Sequence, residues 1–504
     1  MTRCPSARSR PFAAPGILVV LAFPITACAN PPDEGVAGAP QAATPVPPPE
    51  LCAQATHDEL CSFLPHDVIV DLPLGYSSLG EAEQRPFDNF SWQSFVALNW
   101  PADSDGNPLA GPIGASPDAP RVWESYATPL EIFGGREDGA PPVAAAACEG
   151  LGEEGASRIV FHLMAKSDHL DIEPGSFLES TGQPLIDRNL NFALYDVRLN
   201  PVEVGYIRSN GLDNKAGQAA FQQAGSTVSF PLGSYADPDE RTGGSVGALE
   251  VKTAWRILEQ ENGDDPSRYF TRDGVVFVAA ENSESGQAFC FEAKLGLVGF
   301  HVIQRTTSPT NFSQDWMWST FEHLDNAPLA ANAAPPTTFE PGPVPCEAPA
   351  GAGTTYSFFD AECTGADCVP NQPPAAGEGQ PFRWATSPPY AAKYAIDGEF
   401  GTQVVRCRSV YGETEELNQA FQQALAGTVW ANYRLINTQW QGGVEDPSTE
   451  NGNVPRFLAN TTLETYIQTA ASADDASSCL ACHSFAKTTA GQDANFSFLL
   501  GLAR

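Results

Sequence analysis

Near its C-terminus the chain reads Cys479-Leu480-Ala481-Cys482-His483. Two thiols three residues apart, with an imidazole directly after the second, is the spacing at which c-type haem is attached to protein. On a helical turn, positions three and four apart share a face, so both thiols can bond the haem vinyl groups while the imidazole is directed at iron as the proximal ligand. A zinc site would require a second ligand pair nearby, and none occurs between 455 and 504. A thioredoxin-like redox pair would follow a strand, whereas this motif follows the polar run 472–478. The expectation is one covalent haem c held by Cys479, Cys482 and His483, with His483 as the proximal iron ligand.

Only 484–504 follow the motif, and they contain neither Met nor His. That is too little chain to enclose a haem, so a stand-alone class I cytochrome c domain is excluded and a sixth ligand must come from far upstream. His301, within Leu295-Gly-Leu-Val-Gly-Phe-His-Val-Ile303, lies in a run apolar on both faces; it is either a distal ligand or a core imidazole bonded to a carbonyl. His162 has the same character, with Met164 as a soft alternative. His323, within Trp316-Met-Trp-Ser-Thr-Phe-Glu-His-Leu-Asp-Asn326, is an alternative distal ligand among rings suited to line a porphyrin. If the iron were open, Glu322, His323 and Asp325 would be the acid/base or gating set. His57, His66 and His169 read as surface residues.

The elements that must position these groups are mostly strands. The stretches 191–199 and 249–257 alternate apolar and polar residues, with Glu250, Lys252 and Arg256 predicted on the outer face of the second. Asp273-Gly274 before a Val-rich run signals a hairpin, 288–305 reads as one or two strands, and 430–440 as another. Asn200, Pro201 and Glu203 supply an N-cap, a first-turn proline and a capping carboxylate for a helix stopped by Gly211. Further helices are predicted over 86–99, 214–224 and 414–426, and a short one within 460–468. The fold expected is α+β or mainly β: an antiparallel, sheet-rich body over 51–455, braced by disulfides, with a haem-attachment arm over 456–504 packed on it.

The N-terminus reads as an address. Arg3, Arg8 and Arg10 precede a short apolar run ending Ile25-Thr26-Ala27-Cys28, which resembles a lipoprotein signal peptide spanning 1–27 with Cys28 as the lipidated residue. Residues 28–50 are Pro-rich and read as a tether from the outer membrane or another periplasm-facing membrane surface. With Cys28 assigned to lipid, Cys479 and Cys482 to haem and Cys4 to the leader, Cys52, Cys61, Cys148, Cys290, Cys346, Cys363, Cys368 and Cys407 remain, an even set for disulfides in an oxidising compartment. The pairs 52–61 and 363–368 are short enough for local loops, which leaves the other four for longer staples. With 27 Lys and Arg against 61 Asp and Glu, the formal charge is −34, and nucleic acid is excluded as a partner because its affinity rests on basic side chains.

Leu297-Val-Gly-Phe-His-Val, Trp318-Ser-Thr-Phe-Glu-His-Leu-Asp-Asn-Ala-Pro328, Leu458-Ala-Asn-Thr-Thr-Leu-Glu-Thr-Tyr466 and the C-terminal Cys-x-x-Cys-His, together with Gly247-Ala-Leu-Glu-Val-Lys-Thr-Ala-Trp255, resemble exported bacterial proteins of a "cytochrome c family" with a single such motif. The resemblance spans roughly 85–504 and implies mono-haem c-type binding and electron transfer, with no substrate and no ligand assigned beyond His483. Two function classes stand: a lipid-anchored electron carrier whose acidic face meets a redox partner with a basic face, and a haem enzyme of peroxidase or oxygenase type with an open distal site on the body.

Overall fold

The long strand β5 (Phe289–Arg305) organises the body, because its β-branched, aromatic and glycine residues let neighbours pair along both of its edges. In the computed structural model, which describes residues 60–68, 81–134, 148, 159–161, 183–237, 242–306, 316–334, 346–350, 356–363, 368–374, 382–393, 400–441, 453–455, 458–468 and 478–504, one edge of β5 carries β3 (Leu249–Ile257). β2 (Leu194–Leu199) pairs in turn with β3. The other edge of β5 takes β4 (Thr271–Val278) along its first half and β6 (Trp316–His323) along its second. Gly296 faces Arg256 of β3 and Thr271 of β4 across opposite edges. β11 (Tyr433–Gln441) and β12 (Asn453–Val454) extend the sheet beyond β6, and β1 (Ile159–Phe161) pairs with β4 in parallel, the other pairings of this eight-stranded sheet being antiparallel among the described residues. Two short pairs lie outside it: β7 (Leu329–Ala334) with β10 (Arg406–Arg408), parallel, and β8 (Arg383–Trp384) with β9 (Ala392–Lys393), antiparallel.

One face of the sheet is covered by α1 (Glu81–Leu98) and α5 (Gly412–Ala424), the helices predicted from 86 and 414. Trp92 and Phe95 of α1 pack with Leu249, Val251, Trp255, Phe300, Val302, Phe321, Tyr433 and Leu435. Trp92 stacks on Phe421 at 4.8 Å and its indole N–H donates to Asn418 at 2.9 Å. The opposite face is covered by 458–468 and 478–504, with α2 (Pro129–Phe133), α3 (Pro201–Ser209) and α4 (Lys215–Gln223) beside the latter; Gln218 of α4 donates to the Leu212 carbonyl at 2.7 Å and to the Leu500 carbonyl at 2.8 Å. The arm expected at the C-terminus is therefore a layer of the body, within one compact unit over 42–504. Its stretch 465–467 forms only a single 3₁₀ turn, in place of the predicted helix.

That third layer changes the reading of β3. All nine of its residues are buried, so Glu250, Lys252 and Arg256 are not in solvent as alternation predicted: Ser497 of the covering chain donates to Glu250, and Arg256 is held by Asp187 and Asp264. Asn200 caps α3 as expected, its side chain accepting from the Glu203 N–H at 2.9 Å, but the Glu203 carboxyl is wholly buried and does not serve as a capping carboxylate. Asp273-Gly274 lies inside β4, and the chain turns later, around a 3₁₀ turn at Ala280–Asn282. His66, expected on the surface, is half-buried and stacks on Tyr235 at 4.8 Å.

The cysteine arithmetic holds for the described residues. Cys148 pairs with Cys290, Cys346 with Cys407 and Cys363 with Cys368, while Cys479 and Cys482 take part in none of these bonds. Cys61 is also disulfide-bonded; its expected partner, Cys52, lies outside the described residues, as do the leader 1–27, Cys28, the tether, His57, His162, Met164 and His169. Among the described residues no helix is long and apolar enough to cross a membrane.

Candidate functional site

The motif forms a helical turn, α6 (Cys479–His483), and the sequence supplies its cap: Ser478 accepts from the Ala481 N–H at 3.3 Å. The turn is fastened to the sheet by Gln439 of β11, whose side-chain oxygen accepts from the Leu480 N–H at 2.9 Å and from the Ser478 hydroxyl at 3.4 Å. Leu480 is fully buried beside Leu458, Trp316 and Trp318. Cys479 faces this core at 6% exposure, whereas Cys482 is exposed.

His483 is oriented by the chain that follows it. Its Nδ1 lies 2.8 Å from the Phe496 carbonyl, which can only accept, so Nδ1 carries the proton and the lone pair resides on Nε2. The ring sits 4.4 Å from Trp318 of β6 and 4.9 Å from Phe498. The Phe496 carbonyl is aimed by two successive left-handed residues, Asn495 (φ 49°) and Phe496 (φ 72°). For a bulky residue such as Phe this conformation costs roughly 1–3 kcal/mol and persists only where the surroundings impose it. They do: the Asn495 N–H donates to Asp493 at 2.8 Å, and the Asn495 side chain accepts from the Phe230 N–H at 3.1 Å.

These residues fit a covalently attached haem. Both thiols and the imidazole lie on one helical turn, a backbone carbonyl holds the imidazole in the tautomer a proximal ligand needs, and rings flank it.

The other residues singled out by sequence are not gathered there. His301 shares the sheet face of Trp318, but its Nε2 meets the Glu464 carboxylate at 3.1 and 3.2 Å, so it docks the chain over 458–468 onto β5. Of the two readings of His301, the contact seen is that of a core imidazole, bonded to a carboxylate in place of a carbonyl. Glu322 and His323 are consecutive on a strand and point to opposite faces. Glu322 is held by Arg406 of β10, Arg434 of β11 and both the N–H and hydroxyl of Thr461, and the two guanidinium groups hold its carboxyl down to about 2 against its burial. His323 stacks on Tyr269 at 4.1 Å on the face opposite His483; its Nε2 donates to the Arg268 carbonyl at 3.0 Å and its Nδ1 accepts from the Asp325 N–H at 3.1 Å. Burial lowers its pKa to about 4. Both ring nitrogens serve the backbone, which removes His323 as a distal ligand. Asp325 pairs with Arg268 at 2.8 Å, so Glu322, His323 and Asp325 are three separate contacts and not one acid/base set.

Residues that sequence reasoning passed over do much of the positioning: Gln439, Phe496, Glu464, Arg406, and Gly299, where a Cβ would lie 2.4 Å from the Thr462 hydroxyl. Gly299 lies in a segment quoted for its resemblance, and a glycine in mid-strand is a signal of close backbone approach. No family model, no curated protein and no solved structure matches this chain.

Proposed function

We propose that the protein is an exported, lipid-anchored mono-haem c-type cytochrome acting in electron transfer, with haem attached through Cys479 and Cys482 and His483 as the proximal iron ligand. The observation that carries this reading is the Nδ1–H of His483 on the Phe496 carbonyl, a contact that fixes the tautomer with its lone pair on Nε2, as a proximal ligand requires, on the same turn as the two thiols. Bound there, haem supplies reversible one-electron chemistry. Cys482 and, at 56% exposure, Phe485 bring the motif to the surface, where a partner can approach. The charge of −34 becomes −37 when the leader and its three Arg are removed, and it favours a redox partner with a basic face. Acyl chains on Cys28 contribute about 0.8 kcal/mol for each buried CH₂ and hold the body at the membrane through the Pro-rich tether.

A haem enzyme of peroxidase or oxygenase type would need acid/base groups other than Glu322, His323 and Asp325, whose partners hold them apart. The test is expression of the full chain with its own leader in a bacterial host that matures c-type cytochromes. A haem spectrum that remains with the denatured polypeptide and cycles between oxidised and reduced forms supports the proposal. A chain that carries no covalent haem overturns it, and CO binding together with peroxide turnover would favour the enzyme instead.

A further inference from the structure

Behind the His483 turn lies a pair of acids that neither packing nor the haem motif requires. Glu203, in the first turn of α3, is wholly buried, and Glu250 of β3 is 5% exposed. Neither carboxyl oxygen of Glu203 meets a hydrogen-bond partner among the described residues, and Glu250 is the neighbouring charge that acts on it. A buried carboxylate with no donor on its oxygens and a second carboxylate beside it is costly to ionise, which favours a proton on the pair. Burial, and for Glu203 also the neighbouring Glu250, pushes both acids above the usual carboxylate range.

The surroundings leave the pair without a bonded counter-ion among the contacts described. β2 faces Glu250 with Leu199 and β5 faces it with Ile303, both apolar. Lys252, two residues along β3 on the same face, attracts Glu250 through space, its ammonium lying 5.6 Å from the Tyr195 ring centre. Arg305, further along β5, turns its guanidinium to the Ser229 hydroxyl at 3.2 Å and to the Phe230 carbonyl. From the C-terminal layer the contact is Ser497, whose hydroxyl donates to Glu250 at 2.5 Å.

Ser497 is the residue after Phe496. One peptide unit and one hydroxyl therefore link the Nδ1–H of His483 to the carboxyl pair: His483 to the Phe496 carbonyl at 2.8 Å, then Ser497 to Glu250. We infer that Glu203 and Glu250 form the proton-uptake site of this protein, taking up a proton from solvent when the His483 centre gains an electron and releasing it when the electron leaves.

The inference rests on the haem reading above. An electron from a one-electron donor protein adds negative charge behind His483. In that low-dielectric setting the pair binds protons more tightly. In the oxidised state the pair holds one proton; on reduction a second proton enters from solvent and both are neutral. Electron and proton arrive together, so the charge buried on the C-terminal side of the sheet changes little through the cycle.

The test is the midpoint potential of the full-length, haem-loaded protein as a function of pH, with the infrared difference spectrum between its oxidised and reduced forms as a second readout. The potential is expected to fall as pH rises; where uptake is complete, each pH unit shifts the reduced-to-oxidised ratio at fixed potential by about tenfold. A carboxylic-acid C=O band is expected to appear on reduction. Glu250→Gln and Glu203→Gln keep size and remove the titrating group, so each should flatten the pH dependence and abolish the band. A potential independent of pH in the unaltered protein overturns the inference, and so does a dependence retained in both variants. If one variant does not fold, the other and the infrared band of the unaltered protein decide. Absence of covalent haem, seen before any potentiometry, removes the haem reading and this inference together; haem present with a flat potential removes only this inference.

Discussion

Replacing Glu322 by Gln tests how the C-terminal layer is held to the sheet. Glu322 has two acceptor oxygens and six donor atoms on them: Oε1 takes Arg406 Nε at 2.7 Å, Arg434 Nη2 at 2.7 Å and Arg434 Nε at 3.2 Å, and Oε2 takes the Thr461 N–H at 3.2 Å, its hydroxyl at 2.7 Å and Arg406 Nη2. The two guanidinium groups hold the carboxyl at about 2, well below its ordinary 4.5. At about 1.4 kcal/mol for each unit, the charged form gains roughly 3 kcal/mol from these partners after burial is met. Gln keeps one oxygen and turns an amine toward a guanidinium, leaving Arg406, whose side chain is 4% exposed, without its counter-charge. Removing one partner of a buried ion pair costs about 3–5 kcal/mol, and that is the expected loss in unfolding free energy for Glu322→Gln. Urea unfolding followed by tryptophan fluorescence measures it, as a lower midpoint at unchanged slope. Adding Arg406→Met removes the orphaned charge and should recover part of the loss. A cost below about 1 kcal/mol, or a double variant no more stable than the single one, would refute the reasoning.

Three further outcomes follow from the same geometry. His301→Ala and His323→Ala should each leave the haem absorption spectrum unchanged, because the first imidazole holds Glu464 and the second spends both nitrogens on backbone groups; a shifted Soret band in either variant would return it to the ligand list. Gly299→Ala places a methyl group 2.4 Å from the Thr462 hydroxyl and should destabilise the protein by about 1–3 kcal/mol while raising proteolysis within 458–468, which limited digestion would show. Asp88, fully buried beneath Thr414, Gln84 and Thr438, has its pKa raised from 3.8 to about 6, chiefly by burial. The stability tied to its protonated form is complete below about pH 4 and is lost as pH rises through about 6, reaching about 3 kcal/mol at pH 7. Asp88→Asn should flatten that part of the stability profile in denaturation at several pH values, and an unchanged profile would contradict the assignment.

The strands were legible because alternation and β-branched residues mark them locally, and the disulfides because elimination left an even set of cysteines with sensible separations. What covers the sheet was not legible. Glu250 looks outward until Ser497, more than two hundred positions later in the chain, meets it, and Arg256 looks outward until Asp187 and Asp264 pair with it. Grouping Glu322 with His323 as one acid/base set overlooked what strand periodicity already implied, since neighbours on a strand face opposite ways. The orientation of His483 depends on a left-handed Phe496, a conformation that residue type argues against and that follows an Asn495 held by Asp493 within the turn and by the distant Phe230 N–H.

The central claim is covalent haem on the turn Cys479–His483, and the most direct measurement is mass spectrometry of the peptide spanning it, taken from full-length protein matured in its own compartment. The account predicts a mass increased by one haem, with both thiols resistant to alkylation, and loss of that increase in the Cys479→Ala, Cys482→Ala variant. An unmodified peptide with two alkylatable thiols, or with a disulfide between them, would contradict it.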